Sequence, residues 1–74
     1  MLKITHLEGQ AEILGFIHKS FFISNDKATV ACGVEVTKLG SNEPKFRVYD
    51  YEKDMEAAIK QLFHGKAVSF SRPI

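Results

Sequence analysis

Three histidines, one cysteine and a short run of carboxylates are the residues of this 74-residue chain whose types lend themselves to catalysis or metal binding. His6, His18 and His64 lack the spacing of metal ligands, and Cys32 has no second cysteine with which to form a CxxC cluster. No metal site is expected. A Cys32–His nucleophilic pair brought together by folding stays open, although a cysteine packed in a core as a small hydrophobe is inert. Ser20, Ser24, Ser41, Ser69 and Ser71 stand in no nucleophile-elbow pattern, and no glycine-rich loop has phosphate-binding spacing. Glu52, Asp54 and Glu56 resemble a carboxylate pair in spacing, but on a short exposed helix they complement the positive end of its dipole, as His64 complements the negative end. The expectation is a non-catalytic protein without a cofactor.

A different kind of chemistry is written into Lys45, Arg47 and Tyr49, which alternate on the outer side of a strand, with Lys38 across the preceding turn. Basic groups with an interleaved aromatic can hold a phosphate backbone and stack a base. The same pattern also protects an exposed strand from edge-to-edge aggregation. Lys38, Lys45, Arg47 and Tyr49 are the candidate interaction surface.

The element that must support such a surface is the stretch from Asp50 to Gly65. Met55, Ala58, Ile59, Leu62 and Phe63 recur at helical spacing and form one apolar stripe, with Lys53, Glu56 and Lys60 opposite. Asp50 is the expected N-cap and Gly65 the left-handed stop. Glu56 and Lys60 have the spacing of an ordinary i,i+4 pair.

Before that helix, Phe21-Phe22-Ile23, the turn Asn25-Asp26-Lys27 and a long alternation predict a β-hairpin. On its second strand Ala28, Val30, Cys32, Val34 and Val36 share one side and are expected to face the core. Gly33 is read as a kink, or else as a bulge or a close approach by another backbone. After the turn at Gly40-Ser41-Asn42-Glu43-Pro44, a strand over Lys45–Asp50 puts Phe46 and Val48 inward. Val68 and Phe70 lie on a last strand that Pro73 would end.

Residues 1–19 carry two competing periods. Thr5 and Glu8 have capping-box spacing, and Leu7, Ala11, Leu14 and His18 would share a helical face, so a helix over about residues 9–19 is favoured. Gly9, Gly15 and the strand-like Gly15-Phe16-Ile17 stand against it. The resulting expectation is an α+β fold: a small antiparallel sheet of three to four strands, a long helix from the C-terminal half packed on one face, and an N-terminal helix. Because Phe21, Phe22 and Ile23 are consecutive, both sheet faces carry large apolar groups. The N-terminal helix, a homodimer contact or another protein would cover the second face.

Length and charge bound the function. A single domain spanning residues 1–74 buries only about 60% of its unfolded surface, which favours a shallow binding surface over a deep catalytic cavity. Ten basic against nine acidic residues leave a net charge of +1, far from the basic excess of a non-specific phosphate binder. A lone cysteine, no secretory signal and no apolar run long enough to span a bilayer make the cytoplasm the default and a membrane partner unexpected.

The predicted α-β-β-β-α order, with Ala57-Ala58-Ile59 in the second helix, resembles double-stranded RNA-binding domains. That family has a lysine-rich start to this helix, whereas Asp50, Glu52, Asp54 and Glu56 here would repel phosphate, so its RNA contacts do not carry over. From Phe21 to Phe63 the layout also resembles small anti-CRISPR inhibitors of phages and mobile elements. The likeness lies in a hairpin and third strand that end in an aromatic-acidic step, Val48-Tyr49-Asp50-Tyr51-Glu52, before an acidic helix. It implies a non-catalytic regulator or inhibitor that binds protein and blocks a larger complex by occupying a surface. The alternative is a nucleic-acid-binding module that uses the basic outer face of the sheet.

Overall fold

The structure, a computed structural model, describes residues 1–71. Its strands are β1 (Lys3–His6), β2 (Ala11–Ile13), β3 (Phe16–Ser24), β4 (Thr29–Lys38), β5 (Lys45–Tyr49) and β6 (Val68–Phe70). Between β5 and β6 lie a 3-10 turn, Lys53–Met55, and one α-helix, α1, over Glu56–Leu62. The sheet order is β1-β3-β4-β5-β6, with β2 also on β3. β5 and β6 run parallel, and every other pair is antiparallel.

This architecture corrects the expected fold. Six strands in a mixed sheet replace the small antiparallel sheet of three to four, and a short helix replaces the long one. The favoured N-terminal helix is absent. Leu14 and Gly15 both take left-handed backbone, with φ of 51° and 84°, and close a two-residue hairpin of the kind whose twist matches paired strands. β3 then pairs with β4 from Phe16 to Ser24, and this long ladder outweighs the helical spacing of Leu7, Ala11, Leu14 and His18. The α-β-β-β-α order, and with it the layout shared with double-stranded RNA-binding domains, is therefore not present.

The second hairpin is as expected. Asn25 turns the chain, its side-chain oxygen accepting from the amides of Lys27 and Ala28 at 2.8 Å each. Asp50, expected to cap a helix, instead has φ of 53°, and neither helical segment has a side-chain cap. The reason lies in Tyr51, which is buried and donates its hydroxyl to the Ser71 carbonyl at 2.7 Å. Residues 50–52 are thus held as a link between β5 and the helix. At the other end His64, as well as Gly65, takes left-handed backbone and stops the helix. Pro73, expected to end the last strand, lies outside the described residues.

The core forms where this helix meets one side of the sheet. Phe21, Ile23, Ala31, Phe46, Val48, Tyr51, Ile59 and Phe63 are buried together. Phe63 from the helix end sits 4.6 Å from Phe46 and 6.0 Å from Phe21, centroid to centroid, with Phe21 and Phe46 at 6.2 Å. Such tilted and edge-on pairs contribute about 0.5–1.5 kcal/mol each beyond burial alone. Of the predicted stripe, Ile59 and Phe63 are buried, Met55 and Leu62 half-buried, and Ala58 exposed.

On β4 the expected inward side is reversed. Gly33 pairs with Val48 and Phe21, and Ala31 pairs with Ile23, so the helix-covered side of β4 carries Ala31, Gly33 and Glu35. Cys32, Val34 and Val36 point to the other side, while Val30, left unpaired by the register shift, packs against the edge of the core. Gly33 marks a close approach: a Cβ there would lie 2.5 Å from the Arg47 carbonyl oxygen and 2.7 Å from Phe21 Cε1. The ladder's irregularity lies at Ile23/Ser24. Phe46 and Val48 face inward, as their alternation predicts.

Candidate interaction surface

One helix covers one side of the sheet, and nothing in residues 1–71 covers the other. Cross-strand pairing arranges the open side in rows. Ile13, Phe16 and Lys38 form the first, and Ala11, His18, Val36 and Lys45 the second. Ser20, Val34, Arg47 and Ser69 form the third, and Thr5, Phe22, Cys32 and Tyr49 the fourth. The four residues named from the sequence, Lys38, Lys45, Arg47 and Tyr49, are therefore brought together on one face. What their alternation did not reveal is the apolar centre beside them, Phe22, Cys32, Val34 and Val36, each half-buried by its neighbours alone. The first N-terminal strands complete the face where a covering helix was expected.

A shallow trough of about 420 Å³ runs between Phe16, His18, Val34, Val36, Lys45 and Arg47. Its floor is fixed by the rigid ladder, and the His18 ring is held by Nδ1 donating to the Phe16 carbonyl at 3.2 Å. A wider hollow of about 690 Å³ lies at the break between β1 and β2, lined by His6, Leu7, Gly9, Lys19 and Glu35. There His6 Nε2 meets Glu35 Oε1 at 2.8 Å, and the His6 ring leans on Phe21. This contact ties β1 to β4 across the covered side.

The strand carboxylates fall on one side of the sheet, where Lys19 faces Glu35. Glu12 and Glu35, the acidic residues in the strands, both fall on the helix side by register. Glu52, Asp54 and Glu56 belong to the helix and its approach. The open rows hold Lys38, Lys45 and Arg47 with no carboxylate among them, while Glu43 in the β4–β5 loop stands at the rim beside Lys38 and Lys45. At the same end, four large apolar side chains are left in solvent: Leu14 is 94% exposed, Ile13 54%, Leu39 49% and Phe16 40%. The Leu39 amide donates to the Gly15 carbonyl at 2.9 Å, which sets Leu39 beside the Leu14-Gly15 turn.

Cys32 lies in the open centre, not the core, two rows or about 13 Å along the strands from His18. His6 is on the opposite side, so these rows assemble no Cys32–His pair. Among the described residues, no group of three His, Cys, Asp or Glu side chains is placed to hold a metal ion. Among the described residues, no helix is long and apolar enough to cross a membrane. No protein family, curated protein or solved structure matches this chain.

Proposed function

We propose that this chain is a small non-catalytic regulator or inhibitor that binds a protein in the cytoplasm and blocks a larger complex by occupying part of its surface. The observation that carries this reading is the hairpin tip. Leu14 is almost fully exposed and is held at φ of 51°, a backbone region that costs a bulky residue about 1–2 kcal/mol. A leucine gains nothing there from the fold itself. With Ile13, Phe16 and Leu39 it makes an apolar knob, flanked by the cation of Lys38, suited to an apolar pocket with an acidic rim.

The likeness in layout to anti-CRISPR inhibitors of phages and mobile elements accords with this mode of action. A homodimer formed face to face is disfavoured, because it would set a face that carries Lys38, Lys45 and Arg47 and no strand carboxylate against itself.

The test compares wild type with Leu14→Asn, since asparagine suits left-handed backbone and leaves the hairpin intact. After crosslinking in a host lysate, the wild type should recover a partner that the variant does not. Equal recovery by both would remove the knob from the contact.

A further inference from the structure

We infer that the open sheet face is a binding platform for single-stranded nucleic acid, distinct from the hairpin-tip contact. Three features of the face converge on that ligand. First, Lys45, Arg47 and Tyr49 follow one another along β5 at same-side steps of about 6.6 Å, close to the phosphate repeat of an extended single strand. Two cations and a ring thus lie in line, and Lys38 extends the basic track from β4. Second, Phe22 and Tyr49 flank Cys32 in one row, two strand spacings or about 10 Å apart, with His18 two rows or about 13 Å further along the same face. Rings at that separation offer stacking positions for two or three unpaired bases. Third, no carboxylate stands in the open rows to repel phosphate, since the strand acids Glu12 and Glu35 fall on the helix side.

Duplex nucleic acid fits this surface less well. Its base faces are hidden in the stack, and the flat sheet projects no helix or long loop into a groove. An acidic protein would satisfy the cations but has no planar bases for Phe22, His18 and Tyr49.

The experiment is fluorescence anisotropy of the full chain with labelled twenty-nucleotide oligothymidylate and oligouridylate, a duplex of the same length, and labelled poly-L-glutamate. Three phosphate contacts predict a log–log salt slope near −2, so affinity for the single strands should fall roughly 20-fold between about 50 and 200 mM salt. Arg47→Ala should weaken binding and lower that slope by about 0.7. Tyr49→Ala should weaken binding at least about fivefold, whereas Tyr49→Phe, which keeps the ring, should not. Lys60→Ala, on the helix, should bind as the wild type does. Thermal melts of each variant confirm folding. Absence of single-strand binding at low salt would overturn the inference. So would Tyr49→Ala binding unchanged, or duplex or polyglutamate binding as tightly as the single strands, the last result assigning the face to an acidic protein.

Discussion

The ring of Phe21 lies directly over Gly33, its cross-strand partner, so closely that a Cβ at Gly33 would fall 2.7 Å from Phe21 Cε1. This contact decides which side of β4 faces the helix. Gly33 and Ala31 leave room for Phe21, Ile23 and Phe63, and the larger valines are sent to the open side. Gly33→Ala should therefore lower stability by about 1–3 kcal/mol, the usual cost of overpacking, as measured by urea unfolding. The neighbouring Arg47 carbonyl cannot move without breaking β5 from β4, so Phe21→Leu in the same chain should restore only part of the loss.

Replacing Leu14 should have the opposite sign. Asparagine accepts left-handed backbone, and Asn-Gly is the preferred pair for a two-residue hairpin. Leu14→Asn should raise stability by about 1 kcal/mol, seen as a higher denaturation midpoint with an unchanged slope. A destabilised variant would mean that Leu14 packs against the fold.

Tyr51 supplies a pH dependence. Burial, and then the Glu56 carboxylate 3.4 Å from its hydroxyl, raise its pKa above the ordinary tyrosine value of about 10. The folded state then holds the phenolic proton more tightly than the unfolded state. Stability should be unaffected by this group below pH 10, fall as pH rises from 10 through the folded pKa, and level off beyond it. Tyr51→Phe should abolish that component. It should also lower the denaturation midpoint at neutral pH, because the Ser71 carbonyl loses its donor. In a Tyr49→Phe background, an ultraviolet titration in which Tyr51 ionises no higher than an ordinary tyrosine would contradict its burial.

Cys32 offers a footprint of the open face. Half-buried between Phe22 and Tyr49, it should react with a small thiol reagent in the free protein, and a ligand laid across the row should slow that reaction several-fold. Unchanged labelling in a saturated complex would place the ligand elsewhere.

These relationships mark how far the sequence could be read. The alternation Lys45-Phe46-Arg47-Val48-Tyr49 revealed both the strand and its two sides, because polar and apolar residues separate cleanly there. On β4 the same rule misled. Val30, Cys32, Val34 and Val36 are the more apolar set, yet Val48 faces inward and pairs with Gly33, which forces the smaller set inward too. That constraint is a property of the pair and not of either strand alone. Residues 9–19 misled for a related reason: a helical spacing of Leu7, Ala11, Leu14 and His18 carried less weight than a nine-residue ladder with β4, which no local pattern reports. Gly15 was the legible clue, as the second residue of the left-handed Leu14-Gly15 turn. That Lys45, Arg47 and Tyr49 share a face was legible because they alternate at strand spacing, and the β4–β5 pairing adds Lys38 to it. Cys32, Val34 and Val36 beside them were assigned to the core, where such residues ordinarily belong.

The most direct test of the account is a solution measurement of which side of the sheet is open. With methyl-labelled protein and a neutral paramagnetic gadolinium chelate, relaxation should be strongly enhanced for the methyls of Val34 and Val36. It should be weak for those of Ala31, Val48 and Ile59, which are buried between the helix and the sheet. Protected Val34 and Val36 methyls in the isolated chain would show that this face is covered, and would contradict an open interaction surface built on Lys38, Lys45, Arg47 and Tyr49.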